Sequence, residues 1–323
     1  MQKYIAACAA VAAVLAAAPA YANVNPDVAT VGDIQYNTDV GHVELHEFEI
    51  SIQGYLSPWS RADVFFSKTP DGFAVEEGNL TLSNLLPADI KARIGRFKMP
   101  FGMLNPVHPE KWDFVDEPLV FTRLLGGEDG WEDNGVELSG FVPNPWDQEI
   151  SLLVDGSNGD NAIAFGRGPV ANVRAGTYFE MGDYAGLQLG LSGATEPITP
   201  VNGRSALMGA DFRYRWRPDV TTAFTLMGEY MQLALPGQAP SGEYVSADYT
   251  FGTNYGVDLR LDHAYAVDGS GADYGVALTG SYSLFETTRL KLEAEHVFGA
   301  HPDDKFIAQT LFTLGPHTHP LTF

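Results

Sequence analysis

The residues able to do chemistry in this chain fall on alternate positions. Lys91 and Arg93 flank Ala92 between Ile90 and Ile94. The same beat sets Arg174 between Val173 and Ala175, Arg213 and Arg215 among Phe212, Tyr214 and Trp216, Arg260 between Leu259 and Leu261, and Lys291 between Leu290 and Leu292. Carboxylates keep it too, at Glu47, Glu49, Glu137, Glu180, Asp211, Asp258, Asp262, Glu293 and Glu295. Side chains of an extended chain alternate between two faces, so each such stretch offers one charged and one apolar face. Bases facing acids across an enclosed lumen would set up a transverse field that polar solutes must cross. The other reading is that the charges neutralise one another and only keep the interior wet. Arg96 and Lys98 break parity with Lys91 and Arg93, so the strand either bulges at Gly95 or has left the apolar band there.

A second group of candidates is gathered in one long connection, Met103 to Trp131, which holds His108, Glu110, Lys111, Asp113, Asp116, Glu117, Arg123, Glu128 and Asp129. Folded inward, it would narrow a pore and set its carboxylates opposite the Lys91/Arg93 strand. Folded outward, it would be a surface loop. Trp112, Phe114, Phe121 and Trp131 favour a packed position. Among the 8 histidines, His317 and His319 share one side of an extended segment, and His108 and His301 have acidic neighbours. These four are candidate metal ligands, set against the reading of histidines as plain solvated residues. There is no G-x-S-x-G elbow, H-E-x-x-H or P-loop, and no spacing selects a triad. We therefore expect neither an enzyme nor a cofactor.

The elements that must position these groups are strands. Phe48, Ile50 and Ile52 alternate with Glu47, Glu49, Ser51 and Gln53, and similar strands of about ten residues follow almost to the end. Their connections run short, long, short, long, as tight turns and longer outer loops do in membrane barrels; a soluble sandwich need not keep that order. About fifteen strands can be read from residue 42 onward, and the weak segment 26–36 supplies the further one that an even count requires. The expected fold is all-β: a transmembrane antiparallel β-barrel of about 16 strands (14–16), wide enough for water and small solutes. The closing strand is expected at 305–314, with a tail beyond it.

Residues 1–22 read as a signal peptide: Lys3 gives the positive start, Ala6 to Ala18 the apolar run and Ala20-Tyr-Ala22 the cleavage site. Its removal would take away Cys8, the 1 cysteine, so the exported domain, 23–323, would have no thiol chemistry. The charge of −22, from 19 Lys+Arg against 41 Asp+Glu, excludes nucleic acid as a partner and suggests a weak cation preference for a pore. The expected partners are outer-membrane lipid and lipopolysaccharide, the barrel-assembly machinery and small polar solutes, with a homo-oligomer possible.

The stretch Gly95-Arg-Phe-Lys-Met-Pro-Phe-Gly102, with Leu104-Asn-Pro-Val-His108, Phe114-Val-Asp116 and Pro118-Leu119, resembles the phosphate-selective porin O and P superfamily. It is more similar still to the shorter outer-membrane barrels labelled zinc-regulated and TonB-dependent-receptor-like. The resemblance implies a plugless barrel of the porin kind in a Gram-negative outer membrane. Two departures limit it: the chain is poor in the bases that phosphate ladders use, and it has no N-terminal plug domain. The expected function is passive diffusion of small polar solutes or ions. A barrel tied to metal acquisition and a structural or surface-contact barrel with a blocked lumen are the alternatives.

Overall fold

The computed structural model describes residues 26–70, 72–84, 86–127, 130–161, 163–165, 168–196 and 205–316. The expected signal peptide, Glu128, Asp129, His317 and His319 lie outside them. Sixteen antiparallel strands close into one barrel, each pairing with its neighbours in sequence, and the first pairing with the last. They are β1 (Asp27–Asn37), β2 (His42–Ser57), β3 (Ser60–Thr69), β4 (Gly72–Leu82), β5 (Lys91–Lys98) and β6 (Glu132–Phe141). Then come β7 (Glu149–Ser157), β8 (Val170–Glu180), β9 (Ala185–Thr195), β10 (Ala206–Trp216) and β11 (Ala223–Ala234). The set ends with β12 (Ser241–Phe251), β13 (Tyr255–Tyr265), β14 (Ala272–Phe285), β15 (Thr288–Gly299) and β16 (Asp303–Leu314). The weak first segment is a full strand, paired from Thr30↔Leu314 to Asn37↔Ile307 on one side and with β2 on the other. Closure leaves no unpaired edge, which a strand in lipid could not tolerate.

The wall is apolar on its outside and charged on its inside. Along β13, Val257, Leu259 and Leu261 are 42%, 45% and 52% exposed, whereas Asp258, Arg260 and Asp262 are 1%, 0% and 5% exposed. Tyr249, Phe251, Tyr255 and Tyr282 form a ring ladder at the short-turn end of this wall, and Tyr265, His263, Tyr274 and Phe298 form another at the opposite end. From Tyr255 to Tyr265 the strand runs about 33 Å, or about 25 Å along the barrel axis after tilting. That height matches the apolar band of an outer-membrane barrel between its aromatic girdles.

The alternation of short and long connections holds only in part. Residues 38–41 and 300–302, on the long-loop end, are as brief as the turns opposite them. The β5 parity break is not a bulge: pairing with β4 and β6 runs through Gly95 without a shift. Arg96 is half-buried and pairs with Glu132 at 2.9 Å, while Lys98 is buried 3.6 Å from the same carboxylate. Gly95 holds φ +135, and a Cβ there would lie 2.2 Å from the Gly78 carbonyl oxygen, so only glycine fits.

Candidate functional site

The connection between β5 and β6 folds into the lumen, as its aromatics require. Its base is clamped by Asn105, whose Nδ2 donates to the carbonyls of Met99 (2.8 Å) and Trp131 (3.0 Å) while its Oδ1 accepts from the Trp131 amide (2.7 Å). A short helix, α1 (Leu119–Leu124), ends the inward excursion. Phe101, Trp112, Phe114, Phe121 and Trp131 are buried, forming one core with Met227 and Met231 of β11, Tyr244 of β12, and Phe165. Nine such aromatic and apolar groups packed together make opening costly, since each buried large side chain contributes about 1.5–3 kcal/mol.

Wall charges hold the backbone of this loop. Glu293 accepts from the amides of Val115 (2.6 Å) and Asp116 (2.9 Å) and from the Thr279 hydroxyl (2.6 Å). Glu229 accepts from the amides of Met103 (3.1 Å) and Leu104 (2.7 Å) and from the Tyr244 hydroxyl (3.0 Å). Lys291 Nζ donates to the carbonyls of Trp112 (2.8 Å) and Phe114 (3.0 Å). Arg260 donates to the Asp116 carbonyl and to Asp262 and Glu295, with its guanidinium 4.7 Å from the centre of the Phe114 ring. Ser192 on β9 accepts from the Gly102 amide, and Asn172 on β8 donates to the Pro100 carbonyl. Loop side chains reach the wall as well: Asp116 accepts from Lys305 of β16 at 2.6 Å, and Arg123 donates to Asp273 of β14 at 2.6 Å. Burial would push the Asp116 carboxyl up, but the Lys305 charge, a hydrogen bond from Glu295 and the Arg260 charge hold it below the usual carboxylate range. Contacts thus run round most of the circumference.

The sequence-derived candidates divide by this arrangement. Arg260 and Lys291 anchor the loop instead of facing acids across open water. Arg93 and Glu137 are partners on adjacent strands at 2.5 Å, with Arg93 4.0 Å above the Phe97 ring, and Arg174 binds Asp211 and Ser192 within the wall. Neutralisation, not a transverse field, describes these pairs. Lys91 and Arg213 are half-buried, and Arg215 is exposed at the end of β10. Arg213 lines a small cavity beside the loop with Pro100, Gly102, Met103, Arg174 and Gln188. Among the described loop carboxylates, Asp113, Asp116 and Glu117 have their partners away from the Lys91/Arg93 strand. Asp116 faces β13 and β16, Asp113 lies 3.7 Å from Arg289, and Glu117 accepts from Thr122 within the loop. Glu110 lies in the field of His108 and Lys111.

Of the four candidate histidines only His108 and His301 are described, and these two have different carboxylate partners. His301 pairs with Asp273 of β14 at 2.9 Å, whereas His108 is enclosed by Glu49 of β2 and Glu76 and Glu77 of β4. Burial alone would lower the His108 ring, but Glu49 and Glu77 raise it well above the ordinary histidine range. Glu76, Glu77, Glu229, Asp273 and Asn105 were not singled out from the sequence. Glu229 keeps the inward parity of β11, but Met227 and Met231 share that face and hide the polar pattern, because they pack on the loop.

No family model matches the chain. An uncharacterised protein of Aquifex aeolicus (strain VF5) is 24% identical over 331 residues, spanning 85% of this chain and 69% of that protein. Solved structures match over nearly the full length. The outer membrane channel DcaP of Acinetobacter baumannii aligns with a TM-score of 0.61 at 11% identity, covering 92% of this chain and 99% of that one. An anion-selective porin from Comamonas acidovorans gives 0.58 at 11% identity, covering 91% and 100%. OmpT of Vibrio cholerae gives 0.59 at 8% identity, covering 91% and 100%. The fold is that of an outer-membrane porin barrel. Neither the phosphate-selective superfamily nor the zinc-regulated label has support in these likenesses, which at such identities speak for architecture alone.

Proposed function

We propose that this chain is a non-enzymatic outer-membrane channel of the porin type, admitting small polar solutes and ions past a lumen narrowed by its own 99–131 loop. The observation that carries the reading is the inward loop, bonded to the charged wall by Glu229, Glu293, Lys291 and Arg260. A barrel built only as a scaffold has no need of polar wall groups aimed at a folded-in segment. The apolar outer band and its two aromatic girdles support residence in the outer membrane, in contact with its lipid and lipopolysaccharide.

A weak cation preference belongs to the same reading. Among the described residues, buried acids outnumber buried bases, which are Arg93, Lys98, Arg174, Arg260 and Lys291. Polar rings of one sign favour counter-ions in a narrow pore. One structural neighbour is named for anion selectivity, so the sign is worth measuring directly. Another is described as a trimer form, and a homo-oligomer is proposed here on that likeness. The test is single-channel recording in a planar bilayer under a potassium chloride gradient. A small, stable conductance with cation-selective reversal is expected; anion-selective reversal would refute the preference, and silence would refute the channel.

A further inference from the structure

We propose that Glu49, Glu76 and His108 form a site for one divalent transition-metal ion, tying the lumen loop to β2 and β4. The site is built by a β-bulge. Phe65 pairs with Glu77 and Phe66 with Val75, so Glu76 is an extra residue in β4. A bulge re-aims a side chain, and here it turns two consecutive carboxylates to the inner face, where Glu76 is 6% and Glu77 4% exposed. The loop delivers His108 between them and Glu49. The loop backbone is fixed there by bonds from the Lys111 amide to the His108 carbonyl (3.0 Å) and from Trp112 to Pro109 (3.0 Å).

The imidazole is oriented as a ligand. Its Nε2 lies 2.7 Å from Glu77 Oε1, and its Nδ1 lies 3.1 Å from Glu49 Oε2 and 3.8 Å from Glu76 Oε2. Glu77 holds Nε2 as the protonated nitrogen, and a metal entering between Glu49 and Glu76 would replace the Nδ1 proton that now points at Glu49. The donor atoms of Glu49, Glu76 and His108 all lie within 4.8 Å of one another. Donors about 2.1 Å from one ion are spaced roughly 3.0 to 3.4 Å apart in octahedral or tetrahedral shells. His108 Nδ1 already stands at that spacing from Glu49 and a few tenths of an ångström beyond it from Glu76.

An independent observation points the same way. Glu76 is buried, makes no side-chain hydrogen bond among the described residues, and has His108 Nδ1 as its nearest cation, beyond hydrogen-bond distance. A carboxylate buried without a hydrogen bond is costly, and the His108 ring is already shared with Glu49 and Glu77, so a further cation would relieve it. One imidazole and two carboxylates suit ions of the Mn²⁺ to Zn²⁺ series; Ca²⁺ asks for more oxygens and Cu(I) for sulfur.

The experiment uses the untagged full barrel in detergent, stripped with a chelator and titrated with Mn²⁺, free Mn²⁺ being followed by electron paramagnetic resonance. One saturable Mn²⁺ per chain is expected, displaced by Zn²⁺ and weakened at least about tenfold in Glu76→Gln and in His108→Asn. His301→Asn should bind as the unaltered chain does. Heat-dependent gel mobility reports whether each variant keeps its barrel. If the variants fail to assemble, spin-echo modulation of Mn²⁺ bound to the unaltered chain decides: coupling to one imidazole nitrogen is expected, and its absence overturns the site. No saturable binding, or binding that survives in both assembled variants, also overturns it, leaving His108 as a cation paired with its carboxylates. Binding is read without any current, so this result stands apart from the channel reading.

Discussion

Glu293→Ala should free the lumen loop while leaving the barrel closed. The residue is fully buried on β15, and its carboxylate holds the amides of Val115 and Asp116 together with the Thr279 hydroxyl. Hydrogen bonds to a charged acceptor contribute roughly 1.5–3 kcal/mol each, and an amide left without a partner in a buried place costs about as much. The two amides regain water when the loop swings out, so both terms favour opening in the variant. Taking the lower bound for each gives about 3 kcal/mol, or roughly a hundredfold rise in the open population. Backbone pairing of β15 with β14 and β16 does not involve this side chain. Amide hydrogen exchange followed by mass spectrometry should therefore show a faster 112–118 segment, by about two orders of magnitude, against an unchanged wall. Exchange there within about threefold of the unaltered chain would refute the claim that wall carboxylates hold the loop.

Other outcomes follow from the same account. Leu259→Arg, in the outward apolar band, should cost about 2–4 kcal/mol of barrel stability in lipid, measured by urea unfolding from vesicles, while Leu259→Met should cost little. Gly95→Ala should impair assembly, since its Cβ meets the Gly78 carbonyl at 2.2 Å; unaltered heat-dependent gel mobility and yield would contradict this. Asp116 has a folded-state pKa below its unfolded value, so its contribution is present above the usual Asp pKa of about 3.9 and is lost as pH falls through the depressed one. Loop opening, seen as conductance fluctuation, should set in on acidification below about pH 4, and Lys305→Met should move that onset upward. An onset unmoved in Lys305→Met would remove the pair from the account.

Much of the wall was legible because lipid imposes a rule with few exceptions. Where a strand has lipid on one side and polar groups on the other, as β13 does, every second residue declares its face. The weak first strand was recoverable because closure demands an even count. The inward loop could be anticipated from four large aromatics that water would not hold singly. What stayed hidden depends on details that do not repeat with period two. The bulge at Glu76 inserts one residue and reverses parity beyond it, so two adjacent carboxylates share a face that the alternation assigns to one. Inner faces that pack on the loop, such as Met227 and Met231, read as outward ones. Pairing was hidden for another reason. Arg260 facing carboxylates was visible in the sequence, but its bond to the Asp116 carbonyl depends on where a segment 144 residues earlier lies.

The central claim is that the loop narrows a working channel. The most direct test compares single-channel conductance of the unaltered chain with that of a chain in which residues 107–127 are replaced by a short Gly-Ser linker, keeping the Asn105 clamp. A small cation-selective conductance is expected, rising severalfold when the loop is shortened. Equal conductance in the two chains would contradict it, because the current would then pass somewhere the loop does not reach.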